Sequence, residues 1–229
     1  MFGFYYAFYW VVIPGILLAL WAQWRVHSTY RRYLRIGTQG GLTGHDAARR
    51  ILDSEGLYDV QIEAVPGDLT DHYDPRDRTL RLSQRNYQGR SVASLGVAAH
   101  EAGHALQHKE AYVPLQLRMA VIPITTFGSQ LLVPMAVFGL IFLPSMSKLF
   151  LNLAIVGYAV MLGFQVITLP VEFDASRRAK ASLVSLGVIS PQEQGGVASV
   201  LGAAAWTYVA AMVVALLNLV RLLMMRNRE

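Results

Sequence analysis

Four long apolar runs constrain the fold of this chain more than any other feature. Phe4 to Trp24, Met119 to Leu143 and Leu149 to Pro170 contain no charged residue, and Val197 to Met225 contains only Arg221. An α-helix needs about 20 apolar residues to cross the hydrocarbon core of a bilayer. Nothing in that core solvates an amide, so a single spanning segment must be helical. Trp10, Trp21 and Trp24 suit the membrane–water interface. The first run has no basic residues before it and is too long for a cleaved signal peptide. Pro123 and Pro134 predict a kinked second span. The fourth run exceeds the bilayer thickness, which predicts a helix that starts in water and then enters the membrane. Composition agrees: 54% of the 229 residues are hydrophobic and 15% are charged, too apolar for a soluble enzyme of this length.

Two polar segments interrupt the runs. Residues 25–118 hold 13 Lys+Arg and 11 Asp+Glu. Within them, Thr43-Gly44-His45-Asp46 fits a capping box opening a helix that runs through Glu55 and closes at Gly56. Val60 to Val65 alternates like a strand. Asp74-Pro75-Arg76-Asp77 has turn chemistry, and Thr79 to Leu82 follows as a second short strand. From about Ser91 the pattern is helical to about Lys109. The second polar segment is 171–196, where Ser190-Pro191-Gln192-Glu193 predicts another capping box with proline at the first helical position.

Four spans alternate sides, so 25–118 and 171–196 are expected on one face of the membrane. Those segments carry 16 of the 20 Lys+Arg. The positive-inside rule then makes that face cytoplasmic and puts the N-terminus outside. Arg221, Arg226 and Arg228 at the far end conflict with this, although Arg221 and Arg226 can snorkel. The net charge of +5 raises nucleic acid as a partner. The basic residues, however, interleave with acids or flank apolar runs, and membrane-flanking charge explains them better.

The chemistry sits at His100-Glu101-Ala102-Gly103-His104, an H-E-x-x-H pattern. Histidines four apart share one helix face and can hold one metal ion. The glutamate beside the first histidine is placed to take the proton of an attacking water. The chain has no cysteine, so any metal must be held by His, Asp or Glu. A catalytic zinc takes three protein ligands and keeps one position open. His108 continues the spacing, but eight helical residues cover about 12 Å, too far for ligands roughly 2 Å from one ion. His108 is therefore expected on the helix surface or pocket rim. Glu172, just past the third span, is the better third ligand. Asp174 is its rival, but on a helix it points about 200° away from Glu172. A supporting or salt-bridge role suits Asp174 better. The neighbours of the motif are small or apolar, and two histidines and a glutamate buried among them without partners would be costly.

The blocks Ala22-Gln23, Leu69-Thr70-Asp71-His72-Tyr73-Asp74-Pro75, Ala98 through His104 and Leu169 through Arg178 together extend over nearly the whole chain. With them the sequence resembles the gluzincins, and among these the YugP-type neutral zinc metallopeptidases of bacterial membranes. The resemblance implies one zinc ion on His100, His104 and Glu172, with Glu101 as the base. The chain also resembles the HtpX-type membrane proteases, whose third-ligand segment reads E-x-x-x-D. That later Asp orients a zinc histidine. Ser176 stands at its position here, so the resemblance leaves the supporting role to Ser176, Asp174 or another residue. Gluzincins bind an extended peptide along an edge strand, which suggests that role for Thr79–Leu82. His72, Tyr73 and Arg178 are candidates by type for stabilising an oxyanion.

The expected protein is mainly α and integral to the membrane. It has about four transmembrane helices (1–24, 119–143, 149–170 and 197–225) and a small α+β zincin-like, minigluzincin catalytic region drawn from 25–118 and 171–196. The expected activity is a zinc-dependent endopeptidase of the cell (inner) membrane with its site facing the cytoplasm. Its partners are a peptide or protein substrate and the lipid bilayer, with no nucleic acid; an oligomer or membrane partner proteins are compatible with the chain. Two alternatives stand beside this reading: an intramembrane-cleaving zinc protease, and a non-enzymatic membrane scaffold. The flanking Arg85, Arg90 and Lys109 weigh against the first, and the intact base Glu101 against the second.

Overall fold

The computed structural model describes residues 8–227. Residues 4–7 of the first apolar run and Arg228 lie outside the described residues. Eight α-helices and three strands follow one another in these residues: α1 (Ile13–Leu34), α2 (Gly44–Ser54), β1 (Gln61–Val65), β2 (His72–Asp74), β3 (Thr79–Ser83), α3 (Gln84–Gln88), α4 (Val92–Lys109), α5 (Val113–Phe127), α6 (Val133–Phe142), α7 (Ser147–Ser185) and α8 (Pro191–Arg226). Among the described residues, four helical segments are long and apolar enough to cross a membrane: Tyr9–Leu34, Val113–Gly139, Ser147–Ser185 and Pro191–Arg226. The protein is a mainly helical membrane protein with a small α+β region.

The chain forms two compact units. One comprises Met1–Gln23, Gln116–Leu169 and Thr207–Glu229. Its interior gathers Phe8, Val11, Ala136, Leu151, Ala154, Leu222 and Met225. Large apolar side chains such as Leu17, Phe138, Phe142 and Val156 point outward, as lipid-facing residues do. Pro134 cannot donate the amide that an α-helix needs at its position. A π-helical turn, Gly128–Leu132, precedes it and lets the helix resume as α6. The expected kink thus takes the form of a local change in helical pitch.

The other unit comprises Trp24–Leu115 and Pro170–Trp206. Its sheet has the order β1-β3-β2, with β1 parallel and β2 antiparallel to β3. Leu80 and Leu82 of β3 are fully buried. They join Ile51 and Leu52 of α2, Leu95, Ala98, Ala99 and Ala102 of α4, Ala179 and Leu183 of α7, and Val197 and Leu201 of α8 in one apolar core. The capping box on α2 is complete: the Thr43 hydroxyl accepts from the Asp46 N–H, and the Asp46 carboxylate accepts from the Thr43 N–H. Gly56 closes the helix at φ +72°, a conformation that costs a side-chain-bearing residue energy. At the start of α8, the Glu193 carboxylate accepts from the Ser190 N–H at 2.6 Å and from the Gln39 N–H at 2.7 Å. It thereby ties the loop before α2 to α8.

One expectation changes, and two elements go beyond the local pattern. Thr79–Ser83 is the central strand, not an edge, because it is paired on both sides. The segment His72–Asp74 supplies the extra strand; three residues are too few for a period-2 pattern to register. The polar stretch after Pro170 is a continuation of α7 to Ser185, since small and helix-favouring residues follow the proline and no breaker intervenes before Gly187.

A half-buried carboxylate anchors the sheet. Asp71 accepts from the Ser83 N–H at 2.8 Å and from the Asn86 side-chain amide at 2.9 Å. Asn86, itself fully buried, accepts from the Tyr30 hydroxyl at 2.8 Å. Burial pushes the Asp71 carboxyl up, opposed by the donors from Ser83 and Asn86. Asp71→Ala leaves those donors without an acceptor. We expect a stability loss of about 3 kcal/mol, read from the denaturation midpoint in detergent with an unchanged helical content at low temperature.

Candidate metal centre

The centre is built by the packing of α4 on α7, both contributing here from the second unit. Ser91 caps α4, its hydroxyl accepting from the Ser94 N–H at 3.1 Å. The face of α4 toward α7 is made of small residues. A Cβ added to Gly103 would lie 2.6 Å from the Ala175 carbonyl oxygen of α7 and 3.2 Å from its Cα. Only glycine permits that approach. It brings the two histidines of α4, one turn apart, against Glu172 of α7.

The facing atoms converge. His100 Nε2 lies 3.2 Å from Glu172 Oε2, and His104 Nε2 lies 3.7 Å from the same oxygen. The two imidazole rings stand edge to face with centroids 4.8 Å apart. His100 and His104 are largely buried, and Glu172 is almost wholly so. All three ligand atoms lie within 4.8 Å of one another. Tetrahedral ligands with bonds of about 2 Å stand about 3.3 Å apart, so the spacing fits one ion.

The outer nitrogens of both rings are already engaged. His100 Nδ1 is 3.1 Å from the Ser176 hydroxyl. His104 Nδ1 is 3.0 Å from Gln107 Oε1. With Nδ1 engaged on each ring, the Nε2 atoms are the ones turned toward Glu172 and available to a metal. Donor type, spacing and ring orientation therefore all suit a zinc ion held by His100, His104 and Glu172.

Glu101 is buried on the same helix turn. Burial pushes its carboxyl up, while positive charge on His100 and His104 pulls it back. Burial also works against a charge on His104, but the Glu172 carboxylate outweighs it and raises that imidazole. The pocket thus favours a positive charge between the histidines and Glu172, which a metal cation supplies.

Asp174 points to the supporting network and not to the three ligand atoms. It accepts from the Gln107 side-chain amide at 3.0 Å and pairs with Arg177 and, at 2.5 Å, with Arg178. Arg178 also meets Glu110 at 2.7 Å. Tyr73 bonds to His108 Nδ1 at 2.9 Å. His72 is exposed, and its Nδ1 meets the Thr70 carbonyl. The hydrogen bonds of these three candidates go to groups other than the His–His–Glu cluster. Half-buried His108 sits one turn beyond His104 and is not among the three clustered ligands.

One residue of the centre is absent from the motif reading, and another is present in it without its role. Gln107 is fully buried and bridges His104 to the Val171 carbonyl and Asp174. The available signal was a polar side chain three residues after His104, hence on the same helix face. Gly103 was legible as a small residue, but its contact with Ala175 was not.

A cluster of two imidazoles and a carboxylate beside a buried glutamate is a group that could hold a single metal ion. The chain belongs to the zinc peptidase family described as "putative neutral zinc metallopeptidase", which matches residues 8–227. It is 47% identical over 217 residues, 95% of both chains, to a Bacillus subtilis (strain 168) protein named "Putative membrane protease YugP". No solved structure matches the chain.

Gly103→Ala must push α4 and α7 apart at the cluster. Zinc affinity, measured by chelator competition, is expected to fall at least about 10-fold while the helical signal persists. Unchanged affinity would show that the close approach does not set the cluster.

Proposed function

We propose that the protein is a membrane-embedded, zinc-dependent endopeptidase of the gluzincin type. The convergence of His100, His104 and Glu172 beside buried Glu101, in a chain with four bilayer-length apolar helices, carries this reading. His100, His104 and Glu172 hold the ion. When bound, it supplies Lewis acidity to the scissile carbonyl and to a water. Glu101 takes the proton of that water and delivers it to the leaving amine. Burial raises the Glu101 carboxyl, which favours its taking up a proton.

Peptide binding by strand pairing would use β2, the antiparallel edge strand, because β3 is paired on both sides. Tyr73 on β2 is the best-supported of the three oxyanion donors. Its hydroxyl already reaches α4, whereas Arg178 is held by two carboxylates and His72 turns to a backbone carbonyl. Membrane-associated or unfolded polypeptides are the proposed substrates, read with little sequence preference through their backbone.

The site faces the cytoplasm from the inner membrane in this proposal, with the N-terminus outside. The concentration of basic residues in 25–118 and 171–196 supports that orientation. The packing of α4 against α2 and β3 in a shared core supports an interfacial site over one inside a spanning helix. Intact Glu101 supports an enzyme over a scaffold.

Purified wild type and Glu101→Gln should hold equal zinc by elemental analysis. Cleavage of an unfolded protein in the variant should drop about 10²–10⁴-fold; surviving cleavage would sink the assignment of the base. Glu172→Ala should lose most of its zinc in the same assay, and full retention would refute the third ligand.

A further inference from the structure

We infer that Gln107 is a positioning residue for the metal centre, fixing His104 as the tautomer that offers Nε2 to the metal. This deepens the proposed function and rests on His104 being a zinc ligand. The direction of the Gln107 amide is set by its surroundings. Its nitrogen faces two acceptors, the Val171 carbonyl at 2.8 Å and Asp174 Oδ2 at 3.0 Å. Its oxygen is therefore the atom 3.0 Å from His104 Nδ1. An amide oxygen can only accept, so His104 Nδ1 carries a hydrogen, and in the neutral ring that a metal requires Nε2 carries the lone pair. Nε2 is the atom that faces Glu172.

The amide is itself held firmly. Asp174 is paired with Arg177 and Arg178, and Arg178 reaches Glu110 just past the end of α4. An unbroken polar chain runs from Glu110 through Arg178, Asp174 and Gln107 to His104. Gln107 is fully buried, so no water competes for its oxygen at low cost. His100 is served separately, by Ser176. The two ligand histidines thus have different supports, an amide and a hydroxyl.

A merely structural role would make Gln107 a strap between α4 and α7 that works through its N–H donors. A positioning role works through its acceptor oxygen. Gln107→Glu keeps an acceptor toward His104 but removes both donors; Arg177 and Arg178 temper the added charge. Gln107→Leu removes acceptor and donors alike.

The test measures zinc affinity by chelator competition for the full-length protein in detergent, together with the histidine tautomer by ¹⁵N-edited NMR of zinc-loaded wild type. Positioning predicts affinity of Gln107→Glu close to wild type, Gln107→Leu weaker by about 10–100-fold, and an Nδ1–H signal for His104. Gln107→Glu as weak as or weaker than Gln107→Leu would overturn the inference, as would wild-type affinity in Gln107→Leu. If Gln107→Leu does not fold, Gln107→Glu and the wild-type tautomer still decide: lost affinity in the former or an Nε2–H signal in the latter overturns it. Wild type that takes up no zinc would overturn the zinc reading along with this inference, whereas zinc-binding wild type matched by Gln107→Leu would overturn this inference alone.

Discussion

The close approach of α4 and α7 at Gly103 and Ala175 is the contact on which the rest of the centre depends. Two histidines one turn apart on a helix present a pair of nitrogens, but a helix cannot add a third ligand from its own face. The third must come from a neighbour, and side chains of His and Glu reach only a few ångströms. Missing Cβ volume at Gly103, with only a methyl at position 175, sets the backbones close enough for Glu172 to reach both imidazoles. The surrounding alanines at 98, 99, 102, 105 and 179 continue that close packing and pin the helices with an apolar core.

Within that packing, polar groups are placed in pairs and chains, not singly. Burying Glu172, Glu101 and His104 together would be unfavourable if each faced an apolar wall. Glu172 faces both imidazoles, and the outer atoms of the network end on Ser176, Gln107, Asp174 and Arg178. The same logic holds at the sheet, where Asp71, Ser83, Asn86 and Tyr30 satisfy one another. Such networks favour one arrangement strongly, because a partial disruption strands a buried donor or acceptor. The rigidity they confer is what a centre with fixed ligand spacing requires.

The legible parts of this molecule are those written in local pattern. Apolar runs of bilayer length, the Thr43–Asp46 box, Gly56, the α4 helix and its two histidines are each written in one contiguous stretch of sequence, and the structure contains each. Glu172 was reachable from residue type and its place after the third run. For Gln107 the only signal was its place three residues after His104; its role is revealed by its partners on α7. The position of β3 was hidden for a related reason. A short strand looks the same from sequence at the centre or the edge of a sheet, and three-residue β2, which covers its flank, leaves no periodicity. Helix α7 runs on through Pro170 because a proline that follows an established apolar helix can be accommodated when the residues beyond it favour helix.

Every inference about activity passes through the claim that His100, His104 and Glu172 hold one zinc ion. X-ray absorption at the zinc edge of the loaded protein tests that claim most directly. The account predicts a shell of two imidazole nitrogens with oxygen donors at about 2.0–2.1 Å, and none from sulfur. A shell with three imidazoles, which would draft a histidine from outside the cluster, or with one or none, would contradict it.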